Sequence, residues 1–215
     1  MSEMDTGPAS SRAIKLYYSP GACSLSPHIV LAEAGLAYSI EKVDLKAKKT
    51  ESGADFFAVN PAGYVPALAL DNGEVLTEGP AIVQYLADQA PAKKLAPPAA
   101  SFERVRLQEM LNFISTEVHK SFSPLFNPAS SEETKAAARA LIGRRLDVLE
   151  QKLAGHDYLL GDFSVADAYL FTVLSWGRMV GVDIKAGRPR LGEYWSRVKA
   201  RPAVQQAMKE EGLIK

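Results

Sequence analysis

Hydrophobic and polar positions follow two different periods in the first ninety residues of the chain. Ile14–Tyr18 and 38–43 are short runs rich in aromatic and β-branched residues, a pattern typical of strands. Leu25–Ala34 between them predicts a helix that starts after a serine N-cap, Ser24 or Ser26. Because a crossover helix joins neighbouring strands in the same direction, we expect these two strands to be parallel.

A second pattern of strands and a helix follows. Residues 65–70 and 74–77 flank the turn Asp71-Asn72-Gly73, and Asn-Gly between two strand-like runs favours an antiparallel hairpin. Residues 78–88 then place apolar side chains at helical spacing, with Pro80 in the first turn. The first part of the chain is therefore predicted as βαβ, a connecting helical segment, and ββα.

The rest of the chain predicts helices only. Three prolines and several small residues make 90–100 a linker. Ser164 and Asp167 resemble a capping box, with Asp in place of the usual Glu or Gln, so we expect Asp167 to be structural. The predicted helices lie near 102–125, 132–154, 165–180, 190–200 and 203–211. The predicted division is 1–13, a disordered extension or expression remnant; 14–89, an α/β domain; 90–100, the linker; and 101–215, an all-helical domain.

Composition narrows the possible partners. Of the 215 residues, 25 are basic and 25 are acidic, so no net field favours nucleic acid or an anionic membrane. No uninterrupted apolar stretch has the roughly 18 residues of a membrane span. The single cysteine suits a reducing compartment, and we find no signal peptide at the start, so we expect a cytoplasmic protein.

Cys23 is that single cysteine, and it stands where the first strand gives way to the first helix. Unpaired amides and the dipole of a helix N-terminus favour a thiolate, the nucleophilic form of cysteine. The alternative is a small buried apolar side chain. Position alone does not separate these two interpretations.

Pro66 gives the thiol a structural context. The βαβ and ββα order, a thiol at the first strand-to-helix junction and a proline at the start of the third main strand together predict a thioredoxin-like domain. We expect Pro66 to be cis, with the backbone of Val65 beside Cys23, where a peptide-like ligand can pair as an added strand. A trans proline at a strand edge is the alternative.

Glu78 and Gly79 open the helix after the hairpin. Free amides at a helix start can bind a carboxylate, and the Glu78 side chain can bind an ammonium group. A ligand that carries both groups at one end is an amino acid, and glutathione has that feature in its γ-glutamyl moiety. The alternative is an acidic residue that only complements the helix dipole.

Asn112, Thr116 and His119 recur at spacings of four and three, which predicts one shared helix face. An apolar stripe suited to the core lies roughly opposite. If the polar face looks across an interdomain cleft towards Cys23, His119 donates a hydrogen bond to the sulfur. A solvated polar face is the alternative. The apolar stripe on the opposite face comprises Leu107, Leu111, Ile114, Val118 and Phe122.

The order and composition of several segments resemble bacterial beta-class glutathione transferases, from about residue 14 to the end of the chain. The first segment runs from Lys15 to His28 and contains Cys23. Met110 stands where we expect Trp in close relatives, which affects local packing more than catalysis. The other segments are 60–66, 76–79, 111–114, 117–120 and 211–215.

This resemblance implies a helical C-terminal domain of the glutathione transferase fold, a homodimer, and glutathione as co-substrate without a metal. It implies that Cys23 contacts glutathione and can hold it as a mixed disulfide. It also implies that Val65 pairs with the peptide backbone and that the γ-glutamyl end is bound at the start of the helix. The implied glutathione-binding residues are Cys23, Lys48, Val65, Pro66, Glu78, Gly79, Asn112, Thr116 and His119.

The predicted function is conjugation of reduced glutathione to small hydrophobic electrophiles, with Cys23 and His119 as the catalytic residues. Additional thiol-disulfide or peroxidase activity would use Cys23. Aromatic side chains such as Phe122, Tyr169 and Trp176 would favour aromatic or chlorinated substrates if they line the cleft, but they can equally belong to the core. The alternatives are a protein that is primarily a glutathione-dependent thiol-disulfide oxidoreductase and a non-enzymatic binding protein on the same fold.

Overall fold

A mixed sheet of five strands forms the first part of the computed structural model, which describes residues 14–215. The predicted extension, 1–13, lies outside the described residues. The order across the sheet is β3-β2-β1-β4-β5. The strands are β1 (Ile14–Tyr18), β2 (Tyr38–Asp44), β3 (Lys49–Thr50), β4 (Ala67–Ala69) and β5 (Val75–Thr77).

The pairing of the main strands is as predicted. β1 and β2 run parallel, with Ile14 opposite Tyr38, and β4 and β5 form the antiparallel hairpin. β3 was not predicted, because two residues are too few to show a period. After β3, the connecting segment contains a short 3₁₀ turn, Phe56–Ala58, in which Asp55 accepts a hydrogen bond from the N–H of Phe57. The fold therefore keeps the βαβ and ββα units, with a turn in place of the predicted connecting helix.

The helix that follows Cys23 is α1 (Leu25–Ala34), which ends at Gly35 in the left-handed conformation, φ 66°. Ser24, one of the two predicted N-cap residues, occupies the N-cap position, but its side chain does not cap the helix. Ser24 already has helical dihedrals, and its hydroxyl accepts a hydrogen bond from the N–H of Ser19 instead of binding a helix amide. The serine therefore closes the turn that carries Cys23.

Eight further α-helices complete the described part of the chain. The predicted helix over 102–125 is interrupted by a π-helical segment, Phe113–His119, and the predicted helix over 165–180 is divided at Trp176. The helices are α2 (Gly79–Gln89), α3 (Phe102–Asn112), α4 (Lys120–Phe126), α5 (Glu132–Lys152), α6 (Val165–Ser175), α7 (Gly177–Val180), α8 (Pro189–Lys199) and α9 (Pro202–Glu210).

One continuous apolar core joins the sheet to the helical part. α1 packs against α2 from its own unit and against α6 and α9 from the helical unit. The buried Met110 belongs to this core, so the residue that differs from the family expectation packs as an ordinary apolar side chain. The predicted capping box is present at the start of α6, where the carboxylate of Asp167 accepts a hydrogen bond from the N–H of Ser164.

Within residues 14–215, no helix has the length and apolar character needed to cross a membrane. Within the same residues, no three His, Cys, Asp or Glu side chains are grouped as metal ligands would be.

Candidate active site

A cavity of about 520 Å³ opens between the sheet unit and the helical unit. Six of the predicted site residues line it: Cys23, Val65, Pro66, Glu78, Gly79 and His119. Three hydrophilic side chains of the π-helical segment and α4, together with Tyr169 from α6, complete the helical wall. These three are Ser115, Lys120 and Ser123. The two halves of the predicted site therefore meet across one cleft.

Cys23 lies in the turn before α1, and its thiol donates a hydrogen bond to the carbonyl oxygen of Val65 at 3.2 Å. The backbone amides of Cys23 and Ser24 lower the pKa of the thiol, as expected at a helix start, but burial outweighs them and raises it to about 11. The thiolate, one of the two interpretations that the sequence left open, is therefore not supported at neutral pH. Cys23 is a protonated hydrogen-bond donor.

The loop before β4 brings Val65 to the thiol. The Val65–Pro66 peptide bond is cis, as predicted. Asn60 is buried, and its side-chain amide donates to the carbonyl oxygen of Tyr64 at 2.7 Å while its own oxygen accepts from the N–H of Ala62. Asn60 therefore fixes the loop from inside, a role that the sequence did not indicate.

Glu78 occupies an unusual backbone position at the start of α2. Its φ is 65° and its ψ is 109°, although it is not a glycine, and its carbonyl oxygen accepts from the N–H groups of Ala81 and Ile82. Non-glycine residues avoid this region at a cost of roughly 1–3 kcal/mol, and such positions cluster at functional sites. The negative charge of Glu78 also raises the pKa of Cys23 and of Tyr169, which places all three groups in one electrostatic environment.

His119 is held against the helical wall by two aromatic residues. Its Nδ1 lies 2.7 Å from the hydroxyl of Tyr169, and its ring meets that of Trp176 edge-on, with 4.7 Å between the centroids. Burial lowers the pKa of His119 to about 4, so the ring is neutral near pH 7. When the Tyr169 hydroxyl donates to Nδ1, the proton of the neutral ring lies on Nε2.

Three predicted glutathione-binding residues do not line the cavity. Lys48 donates to the carbonyl oxygen of Gly63 at 2.7 Å and lies over the ring of Tyr64, which does line it. Asn112 and Thr116 are exposed. The prediction of one shared face assumed α-helical spacing, whereas the π-helical segment bonds i to i+5 and turns less per residue. Of the three polar residues, only His119 therefore reaches the cleft.

The π-helical segment also explains which residues the sequence analysis missed. Ser115, Lys120 and Ser123 come to the cavity because the helix changes pitch ahead of them, and no period in the sequence signals that change. Of the proposed aromatic lining residues, Tyr169 lines the cavity, whereas Phe122 is fully buried and packs edge-on against Trp176 behind His119.

The turn before Cys23 is fixed from the helical part. The N–H of Gly21 donates to the carboxylate of Glu211 at 2.8 Å, and the carbonyl oxygen of Gly21 accepts from the indole N–H of Trp176 at 2.8 Å. Glu211 belongs to the closing segment that carried the family resemblance, yet its contact joins positions 190 residues apart. Sequence patterns cannot reveal a pairing of that range.

A thiol before the first helix of a thioredoxin-like sheet, facing a helical domain, defines a class of proteins that bind a thiol peptide and act on it in an interdomain cleft. Family models agree with this class. The glutathione S-transferase N-terminal domain matches residues 21–89, and the glutathione S-transferase C-terminal domain matches residues 113–202. The chain belongs to the glutathione S-transferase family.

Individual relatives support the same assignment and the predicted activity, glutathione conjugation. Glutathione S-transferase GstA of Escherichia coli O157:H7 is 46% identical over 93% of this chain and 100% of its own length. The structure of BphK, a bacterial glutathione transferase in a ternary complex, is 60% identical with a TM-score of 0.90, covering 92% of this chain and 99% of BphK. The beta-class enzyme of Sphingomonas chungbukensis is 50% identical with a TM-score of 0.90, covering 93% and 100%. The resemblance to the beta class is thus confirmed.

Proposed function

We propose that the cleft binds glutathione along the sheet unit and that Cys23 activates it by donating a hydrogen bond to its thiolate. The observation that carries this proposal is the Cys23 thiol itself, which is protonated and already acts as a donor, to Val65. The glutathione thiolate then attacks a small electrophile. A carbon–sulfur bond forms, the leaving group departs with the bonding electrons, and the thiol proton passes to water.

A donor beside the sulfur is what this reaction requires. The free thiol of glutathione is mostly protonated at pH 7, and a hydrogen bond to the thiolate favours the charged form and lowers its pKa. A buried thiolate at position 23 would instead repel the negative sulfur of the substrate. The raised pKa of Cys23 therefore supports conjugation.

The ends of the tripeptide fit the ends of the cleft. The γ-glutamyl group carries both an ammonium and a carboxylate, which suit the Glu78 side chain and the start of α2 at Gly79. The backbone of Val65 pairs with the cysteinyl residue, which brings the two sulfurs together, while Pro66 borders this contact. Lys48 lies beside Tyr64 at the rim and can bind a glutathione carboxylate after it leaves Gly63.

Side chains of the helical wall can also stabilise negative charge during the reaction. His119 is neutral and fixed by Tyr169, so its Nε2 can donate to the glutathione sulfur or to charge that develops on the electrophile. The Tyr169 and His119 rings favour flat aromatic electrophiles. Asn112 and Thr116 are exposed and do not line this cavity, so their part in glutathione binding stays a prediction.

The thiol-disulfide alternative is not favoured by this geometry. Attack on a disulfide or peroxide needs a thiolate, whereas burial keeps Cys23 protonated at neutral pH. A mixed disulfide between Cys23 and glutathione remains a prediction that intact mass before and after reduction will test.

The decisive experiment compares Cys23→Ala with Cys23→Ser in glutathione conjugation to 1-chloro-2,4-dinitrobenzene. Serine keeps a hydrogen-bond donor at the same place and alanine removes it. A hydrogen bond to a charged group contributes about 1.5–3 kcal/mol, so we expect Cys23→Ala to lower kcat/KM by roughly 10–100-fold and Cys23→Ser to retain most of the activity. The apparent pKa of bound glutathione should rise in Cys23→Ala. Equal rates and pH profiles in all three proteins would reject Cys23 as the activating donor.

A homodimer is the second part of the proposal. Large apolar side chains remain exposed beside the cleft and on α3, and a partner copy would cover them. Light scattering of the wild type and of Phe102→Ser should give a dimer that weakens in the variant; a monomeric wild type would contradict it. The exposed apolar side chains that a partner copy would cover are Phe57, Tyr64, Phe102 and Val105.

Localisation in the cytoplasm stays a prediction.

A further inference from the structure

The hydroxyl of Tyr169 reaches the helical wall of the cleft from α6 and meets the ring of His119. The distance from this hydroxyl to Nδ1 is 2.7 Å, and the two rings stand edge-on, with 5.9 Å between centroids and 78° between planes. Tyr169 is buried and His119 is half-buried, and both line the cavity that contains Cys23. The hydrogen in this contact can in principle belong to either partner.

The length of the contact indicates that the tyrosine is the donor. Hydroxyl donors form hydrogen bonds of about 2.7–2.8 Å to oxygen, whereas N–H donors form bonds of about 2.9–3.0 Å. A phenol is also a good donor and a weak acceptor, because its lone pair is delocalised into the ring, whereas the unprotonated nitrogen of an imidazole is a strong acceptor. The O–H of Tyr169 therefore points at Nδ1 of His119.

The surroundings of the pair agree with this direction. Within residues 14–215, Tyr169 is the one hydrogen-bond partner of Nδ1, since the indole N–H of the neighbouring Trp176 donates to the carbonyl oxygen of Gly21. Burial raises the pKa of Tyr169, whereas a hydrogen bond from Ser115 lowers it. With Ser115 donating to the phenol oxygen, the hydrogen of Tyr169 is left for His119.

This contact determines which nitrogen of His119 carries the proton. Burial lowers the pKa of His119 to about 4, so the neutral ring has a single N–H at pH 7. With Nδ1 as an acceptor, the proton lies on Nε2, which has no hydrogen-bond partner within residues 14–215. In the opposite tautomer Nε2 would be a base, and it would take the proton of the glutathione thiol instead of donating to the sulfur.

We propose that Tyr169 is a positioning residue for conjugation: its hydroxyl, bound by Ser115, fixes the neutral ring of His119 with the proton on Nε2. This inference rests on the proposed function, in which Nε2 donates to the glutathione sulfur or to charge that develops on the electrophile. His119 is then a hydrogen-bond donor during the reaction and does not remove the thiol proton. Tyr169 acts through His119 and transfers no proton itself.

A double-mutant cycle combined with ¹⁵N NMR tests this role. Tyr169→Phe removes the hydroxyl and keeps the ring, His119→Ala removes the partner, and a third variant combines both changes. Tyr194→Phe is the matched control, because it removes a buried tyrosine hydroxyl that donates to Asp167 instead of His119.

Two quantities are measured in each protein. The first is kcat with glutathione and 1-chloro-2,4-dinitrobenzene, both at saturation, together with KM for glutathione. The second is the set of ¹⁵N chemical shifts of the three histidine rings of the chain without substrate, in which His119 is assigned by its absence in His119→Ala. The shifts show which ring nitrogen is protonated.

We expect Tyr169→Phe to lower kcat roughly two- to tenfold, as the loss of one neutral hydrogen bond implies, without a change in KM for glutathione. The same substitution should have no further effect in the His119→Ala background. In wild type and Tyr194→Phe, Nε2 of His119 should be protonated and Nδ1 should be a hydrogen-bonded acceptor. In Tyr169→Phe, the Nδ1 shift should move towards that of a histidine free in water.

A proton on Nδ1 of His119 in wild type would overturn the proposal, and this measurement needs no tyrosine variant to fold. An unchanged His119 spectrum in Tyr169→Phe, or an equal loss of kcat from this substitution in both backgrounds, would overturn it as well. If His119→Ala conjugates as fast as wild type, the donor role of His119 in the proposed function is rejected instead, and the spectra still decide whether Tyr169 sets the tautomer.

Discussion

The carboxylate of Glu211 accepts a hydrogen bond from the backbone N–H of Gly21 at 2.8 Å, two residues before the thiol of Cys23. Its other oxygen lies 3.0 Å from Nδ1 of His28, and the side chain is completely buried. Trp176 binds the carbonyl oxygen of the same glycine. The helical part and the C-terminal segment therefore fix the turn that presents the thiol of Cys23.

Glu211→Ala should lower both stability and conjugation, because it leaves the Gly21 amide and Nδ1 of His28 without the carboxylate that they contact. An unsatisfied buried group costs about 1–3 kcal/mol, so we expect a loss of roughly 2 kcal/mol in the free energy of unfolding, measured in urea. Glu210→Ala is the control, since Glu210 also contacts His28 but keeps 35% of its side chain exposed. Equal losses in the two variants would contradict a special role for Glu211.

Alkylation of Cys23 should be slow at neutral pH. The raised pKa, about 11, leaves almost no thiolate at pH 7.5. The rate constant with iodoacetamide should lie below that of free glutathione under the same conditions and should keep rising up to the highest pH at which the protein stays folded. Fast modification that is independent of pH between 6 and 8 would show an activated thiolate and would favour the redox alternative.

His119 should make the protein less stable in mild acid. Burial lowers its pKa from 6.5 in the unfolded chain to about 4 in the folded protein, so the unfolded state binds more protons between these values. Stability therefore falls as pH drops through that window. With 1.36 kcal/mol per pH unit, the contribution of His119 between pH 7 and pH 5 is about 2 kcal/mol. Urea denaturation of wild type and His119→Gln should show this part of the pH dependence only in wild type, and parallel profiles would refute it.

Features encoded by neighbouring residues could be predicted from the sequence. Gly35 ends α1 because glycine accepts a left-handed conformation, and the Asn72-Gly73 pair lies between β4 and β5 as a hairpin requires. Cys23 and Pro66 were predicted to meet because the order of strands and helices brings them to one end of the sheet. These parts of the fold and the site depend on local rules and topology.

Features that depend on distant contacts were not predictable. The sequence left the state of the Cys23 thiol open, because its helix start is visible there, whereas the burial that raises its pKa comes from the folded surroundings. Asn112 and Thr116 were placed with His119 by α-helical spacing, but Phe113–His119 is π-helical and, of the three, His119 lines the cavity. The same limit applies to Gly21 and Glu211, whose pairing no local pattern encodes.

Asp167 combines both kinds of information, because its cap was predicted but its full set of partners was not. The buried carboxylate accepts from the N–H groups of Leu159 and Ser164 and from the hydroxyl of Tyr194, at 2.8–3.1 Å, and also from the Ser164 hydroxyl. We expect Asp167→Ala to lower the free energy of unfolding by roughly 3 kcal/mol, since two backbone amides lose their acceptor in the core.

Asp167→Asn removes the negative charge and one of the two acceptor oxygens of Asp167 but keeps the size of the side chain. Oδ1 accepts from the N–H of Leu159 and Oδ2 from that of Ser164, so either orientation of an asparagine amide turns its NH₂ group towards one backbone N–H. We therefore expect a loss of about 1–3 kcal/mol although the size is unchanged. Ser131→Ala is the control, because Ser131 caps the exposed start of α5 through the N–H of Thr134 and should cost about 1 kcal/mol. If Asp167→Asn is as stable as wild type, the start of α6 does not need both carboxylate oxygens of Asp167 as acceptors, and the prediction is wrong.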